Sequence, residues 1–176
     1  RTPHLASSAA SDVYKRQPTN VSAMLEAIAA ELSTLLPLEA ALIQARLAEA
    51  QQMLKSQEAL IAERLAPFQT VGFIVNHDAY SHWVAAFGLR QIAAVSQLPE
   101  QQLGARQRFQ LQQQAENAAC LIVEPGDQGG ERLAAALKLP LVAIDPLGRD
   151  LAITTLKQLF EHYAAGFEQC FKAGRR

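Results

Sequence analysis

Apolar residues follow two different rhythms in this chain, and the rhythm changes near Pro67. Before that point they recur every three or four positions, which predicts amphipathic helices. A first helix within residues 18–37 would end at Pro37. A second, over residues 38–66, contains no Gly or Pro and breaks its apolar seam only at Gln57. At 1.5 Å per residue it would be roughly 43 Å long, so we expect it to connect two bodies.

After Pro67, four short apolar runs alternate with four helical patterns. The predicted strands are 71–76, 91–95, 120–124 and 141–145, and the predicted helices are 79–87, 104–117, 130–137 and 154–172. This alternation predicts parallel βαβ units with right-handed crossovers. The fold class is therefore α/β, with a long linker helix followed by a four-stranded parallel (βα)4 lobe. The Gly-rich stretch 126–130 is interpreted as a flexible turn.

Four side chains of types that can bind a metal ion or transfer a proton lie at the ends of the predicted strands or directly after them. His77 lies at the end of the first strand, Asp78 comes next, where a helix could begin, and Glu124 and Asp145 end the third and fourth strands. Ligands of open parallel sheets bind at the carboxyl ends of the strands. A histidine with carboxylates suits a zinc or manganese site or an acid/base pair.

A purely structural interpretation of these four residues stays open. In it the imidazole caps a helix or binds a backbone carbonyl, Asp78 is an N-cap, and the other two carboxylates lie in solvent or in a turn. His82 is expected at the surface or behind the site. His162 is expected at the surface beside Glu161.

Composition narrows the class of protein without choosing a function. Hydrophobic residues make up 49% and charged residues 19%, which is typical of a globular chain. A net charge of -1 gives no electrostatic reason for a nucleic-acid partner or an anionic membrane. Cys120 and Cys170 are either two reduced thiols or one disulfide. Residues 38–66 also allow a coiled-coil interaction module, and the four rim residues allow a small α/β enzyme that uses His77 with Asp145 or Glu124.

Several motifs taken together resemble the C-terminal part of periplasmic zinc-binding proteins of ABC importers, the metal-specific class of solute-binding proteins. They are the long helix, Asn76-His77-Asp78-Ala79-Tyr80, Phe87-Gly88-Leu89, Cys120, Glu124-Pro125, Asp145-Pro146-Leu147-Gly148 and Cys170. The likeness covers residues 18–172, and the order and spacing of the motifs make it specific.

The resemblance implies a site as well as a fold. It implies two α/β lobes joined by a rigid helix, with Zn²⁺ held in the cleft between them. His77 would be a metal ligand and Asp145 a second ligand, with Asp78 and Glu124 at the rim and a Cys120–Cys170 disulfide. Related manganese binders often have Glu in place of the histidine, and imidazole nitrogen favours zinc.

The resemblance also implies a role for the chain and for each of its parts. The protein would be a binding protein rather than an enzyme, a periplasmic monomer that delivers Zn²⁺ to a membrane permease. Residues 18–37 would be the last helix of a truncated first lobe, 38–66 the inter-lobe helix and 67–176 the C-terminal lobe. Residues 1–17 form a foreign-looking tail, and His4 within it lies too far from Pro18 to fit the first lobe's histidine motif. We therefore expect a fragment.

Overall fold

Two antiparallel helices precede the sheet. The computed structural model describes residues 18–96, 104–149 and 153–174, so the tail predicted for residues 1–17 lies outside the described residues. Helix α1 (Pro18–Leu35) and helix α2 (Ala40–Leu65) are joined through a 3-10 turn at Pro37–Glu39. Gln51 of α2 donates to Glu26 of α1 at 2.6 Å. We call α1, the 3-10 turn and the first half of α2 the helical hairpin.

The long helix is buried along only half of its length. Its buried residues are Leu54, Gln57, Ile61 and Leu65, all in the second half. Gln57 continues the buried seam, so the polar gap does not interrupt the helix. A second 3-10 turn at Ala66–Phe68 then leads into the sheet.

Four parallel strands form the sheet, in the order β2-β1-β3-β4. The strands are β1 (Gly72–His77), β2 (Arg90–Ser96), β3 (Leu121–Val123) and β4 (Leu141–Ala143). The helices that follow them are α3 (Ser81–Ala86), α4 (Ala105–Ala115), α5 (Gln128–Leu137) and α6 (Leu156–Ala173). The predicted fold class, a long helix followed by a parallel (βα)4 lobe, is confirmed.

Two predicted helix starts are wrong. Helix α3 begins at Ser81 and has no side-chain cap, so Asp78 is not its N-cap. Helix α5 begins at Gln128, two residues before the predicted start, because the Asp127 carboxylate accepts from the backbone N–H of Gly130 at 2.9 Å. Much of the stretch interpreted as a flexible turn is therefore the capped first turn of a helix.

The core lies on both faces of the sheet. Phe73 and Val75 of β1 point to the face covered by α2, α3 and α6. Ile74 points to the opposite face, covered by α4 and α5. This alternation follows from the two-residue period of a strand. On the first face aromatic rings pack edge to face, with 5.4 Å between the ring centroids of Phe73 and Phe167.

A disulfide joins the residue directly before β3 to the last helix. Cys120 and Cys170 are bonded, with 5.4 Å between their Cα atoms, and both are fully buried. The predicted pairing is confirmed. None of the helices in the described ranges has the length and apolar character needed to cross a bilayer.

Candidate metal centre

The residues predicted for the site lie along one edge of the sheet. His77 is the last residue of β1, Glu124 directly follows β3, and Asp145 lies two residues after β4. Strand β3 separates β1 from β4, so the backbones that carry His77 and Asp145 are about 10 Å apart at the usual strand spacing. Two side chains that reach toward each other over that gap can share one ion.

His77 has a buried ring nitrogen without a partner. The residue is only 8% exposed, and its Nδ1 makes no hydrogen bond within the part of the chain that the structure describes. An unsatisfied buried polar atom costs about 1–3 kcal/mol. Such atoms are rare in native proteins and call for an explanation. A metal ion bound at this nitrogen would supply one.

Asp145 is held in a turn and in a largely buried position. It is 5% exposed, and its Oδ1 accepts from the backbone N–H of Leu147 at 2.8 Å. Its own backbone N–H donates to Nε2 of His162 at 3.1 Å. The local backbone thus holds the carboxylate in place.

His162 lies behind Asp145, which corrects its predicted place as a surface residue beside Glu161. It is half-buried, and burial lowers its pKa while the charge of Asp145 acts in the opposite direction. A neutral ring agrees with the observed bond, since Nε2 must accept the Asp145 N–H. Helix α6 can come this close because Gly166 has no side chain, and a Cβ there would lie 2.6 Å from Cγ1 of Ile144.

Two tyrosines hold the backbone on either side of Asp145. The Tyr80 hydroxyl donates to the carbonyl of Ile144 at 2.6 Å, and the Tyr163 hydroxyl donates to the carbonyl of Pro146. Burial raises the pKa of Tyr80 well above its ordinary value, and the charges of Glu124 and Asp145 add to the effect. Sequence reasoning missed these roles, although Tyr80 lies in the motif that contains His77.

Asp78 faces away from Asp145. Its Oδ1 accepts from Nε2 of Gln91, on β2, at 3.2 Å, which puts this carboxylate on the outer side of β1. Asn76 turns the other way and donates to the carboxylate of Asp127. Glu124 is half-buried and acts on Tyr80 through its charge. Of the two predicted rim residues, Glu124 thus lies on the Asp145 side of His77 and Asp78 on the other.

The described residues do not form a complete site. Nowhere in them do three His, Cys, Asp or Glu side chains converge closely enough to hold a metal ion. His77 and Asp145 are nitrogen and oxygen donors of the kind that zinc accepts. Zinc sites usually have three or four protein ligands, so these two would need ligands from elsewhere.

Comparison with known protein families places the chain. Residues 16–170 match the family described as the periplasmic component A of a zinc-uptake complex, ZnuA. The chain belongs to the ZnuA family. This family consists of binding proteins, so the alternative of a small α/β enzyme built on His77 and Asp145 is set aside. No curated protein matches the sequence.

Solved structures share the fold of this ZnuA-family chain. A crystal structure of ZnuA is 23% identical with a TM-score of 0.73, and the match covers 90% of this chain and 58% of that one. The laminin-binding adhesin Lmb from Streptococcus agalactiae is 18% identical with a TM-score of 0.73, covering 92% and 62%. A Zn(II)-bound AdcAII variant from Streptococcus pneumoniae is 20% identical with a TM-score of 0.68, covering 86% and 58%. The chain thus spans about three fifths of the length of these structures.

Proposed function

We propose that this chain is the C-terminal part of a solute-binding protein that captures Zn²⁺ in the periplasm and delivers it to the permease of an ABC importer. Membership of the ZnuA family supports the metal-uptake role. The observation that carries the proposal to particular residues is the buried, partnerless Nδ1 of His77 at the mouth of the parallel sheet. The Cys120–Cys170 disulfide agrees with an oxidising compartment.

His77 and Asp145 have different roles in this proposal. The neutral imidazole of His77 donates a lone pair to the ion. Asp145 supplies an oxygen and a negative charge, and its backbone is already fixed, so little ordering is needed on binding. Glu124 and Asp78 stay at the rim. Ligands from a first lobe and from water would complete the coordination.

The helical hairpin supports the proposed division into domains. Its apolar residues Ile28, Leu35 and Leu38 are exposed, and exposed apolar faces of this kind mark interaction sites. Residues 18–37 would belong to the first lobe, residues 38–66 would be the helix between lobes, and residues 67–176 would be the C-terminal lobe. The whole protein would act as a monomer, with this face covered by its own first lobe.

Zinc titration of the whole protein, in which a first lobe supplies the remaining ligands, tests the assignment of His77. We expect His77→Ala to weaken Zn²⁺ binding at least about tenfold, measured by calorimetry. His82→Ala is the matched control, since it removes an exposed imidazole five residues away and should leave the affinity unchanged. Equal affinities of His77→Ala and the unchanged chain would reject the proposal.

A manganese-binding protein of the same class is the second candidate. The nitrogen ligand from His77 favours zinc, because manganese prefers oxygen ligands. A parallel titration with Mn²⁺ should therefore give weaker binding than Zn²⁺. Tighter binding of Mn²⁺ would reverse the assignment of the metal while leaving the role of the site intact.

A further inference from the structure

Tyr80 links the two segments that carry the proposed ligands. It lies three residues after His77, at the end of the β1–α3 connection. Its hydroxyl donates at 2.6 Å to the carbonyl of Ile144, the residue directly before Asp145. One buried hydrogen bond therefore joins the His77 segment to the Asp145 segment across the width of β3.

The sheet itself does not make this connection at the carboxyl edge. Pairing between β1 and β3 ends at Val75 with Ile122, two residues before His77. Beyond that point His77 pairs only with Ser96 on the other side, in β2. The ladder therefore constrains the distance between His77 and Asp145 only indirectly. The backbone N–H of Ile144 donates to the carbonyl of Val123 at 2.9 Å, but His77 is not paired with β3, so a side chain can help to set the distance.

Tyr80 is held firmly enough to set that distance. It is almost fully buried, and its ring packs edge to face on Tyr163 and Phe167, with centroid distances of 6.2 Å and 5.9 Å. Its pKa is raised by burial, so the hydroxyl keeps its proton and remains a donor. A hydrogen bond in a low-dielectric surrounding is electrostatically stronger than one in water.

We propose that Tyr80 is a positioning residue that fixes the separation of His77 and Asp145 and so prepares both for one ion. The inference rests on the proposed function and adds a residue that does not touch the metal. Tyr163 holds the Asp145 segment too, through Pro146, but it belongs to α6 and not to the His77 segment. Of the two tyrosines, Tyr80 is the one that lies on the same backbone segment as His77.

The test is a Zn²⁺ titration of Tyr80→Phe, which removes the hydroxyl and keeps the ring. We expect binding to weaken about tenfold, at the low end of the losses seen when groups behind a metal ligand are removed. The His77 imidazole protons, followed by NMR, report binding even where it is weak. The same substitution is then made in Asp145→Ala. With one ligand gone there is no separation to fix, so Tyr80→Phe should have no further effect.

A variant that only destabilises the fold separates a positioning role of Tyr80 from a purely structural one. Thr155→Ala serves as the stability control, because it removes the capping box of α6 and should not change zinc affinity. Tyr80→Phe should also speed hydrogen exchange at the backbone amides of residues 77–79, 144, 145 and 147. Unchanged affinity in Tyr80→Phe, or an equal loss in the Asp145→Ala background, would overturn this inference alone. Binding that does not depend on His77 would overturn the proposed function as well.

Discussion

The helical hairpin and the α/β lobe differ in where they place their large apolar side chains. In the lobe, Phe73, Phe160 and Phe167 are fully buried. In the hairpin, Leu38 is 97% exposed, and Ile28 and Leu35 are more than half exposed. Helix α2 belongs to both regions, and its residues pass from exposed to buried along its length.

The difference separates a region that closes its own core from one that does not. The lobe covers both faces of its sheet with helices, and a disulfide ties α6 to the residue before β3. The hairpin pairs its helices through Gln51 and Gln44 and leaves an apolar face without a partner among the described residues. An amphipathic pattern thus indicates that a face is suited to burial, but not which body covers it.

Loss of the disulfide should affect the lobe most strongly. The bond closes a loop across 50 residues, which in the chain-entropy model stabilises the folded state by about 4 kcal/mol. We expect the double variant Cys120→Ser, Cys170→Ser to lose stability of this order in urea unfolding. Hydrogen exchange in α1 should not change. A variant with the stability of the parent chain would contradict the view that the lobe depends on this link.

A pair of leucines on α2 gives the next largest contrast. Leu65 is fully buried and Leu42 is 55% exposed. Leu65→Ala should reduce the free energy of unfolding by about 3 kcal/mol, because it leaves a cavity. Leu42→Ala should change it by less than about 0.5 kcal/mol. Thermal unfolding of both variants compares the same type of substitution in the two regions. Similar losses of stability would show that the hairpin face is buried in solution.

The period of apolar residues was sufficient to predict the lobe. Strand runs such as Leu121–Val123 and the inward face of α6 gave four strands and their helices in the correct order. Boundaries were less accurate where a side chain decides them. The cap from Asp127 starts α5 earlier than the Gly residues in its first turn suggested. Helix α3 begins directly after Tyr80, whose side chain does not cap it.

The candidate site was predictable only in part. Strand ends placed His77, Glu124 and Asp145 at one edge, because parallel strands share that edge. The residues behind them were not found, because His162 and Tyr163 lie on α6 and contact the Asp145–Pro146 segment only through the tertiary fold. The sequence of a helix does not indicate which strand end each of its residues will contact in the folded protein. The roles of His77 and Asp145 as ligands stay predictions.

The smallest expected effect concerns the ion pairs that connect the buried half of α2 with α6. Arg64 donates to Glu168 at 2.6 Å and also binds Glu161. The hydrogen bond from Lys172, followed by that from Arg64, lowers the pKa of Glu168 below its ordinary value of 4.5. An acid whose pKa is lowered in the folded state stabilises that state fully at pH values above its pKa in the unfolded chain. This contribution is lost as the pH falls through its pKa in the folded state.

The free energy of unfolding of the parent chain should therefore fall between about pH 5 and pH 3. The fall should exceed that of Glu168→Gln by at most about 1 kcal/mol, because partly exposed pairs are weak. Glu49→Gln is the control in urea unfolding at each pH, since it removes an exposed pair with Arg46 and should leave the pH profile unchanged. If both variants follow the parent profile, the ion pairs of Glu168 add nothing measurable to the contact between α2 and α6, and apolar packing with the remaining Arg64–Glu161 pair holds it.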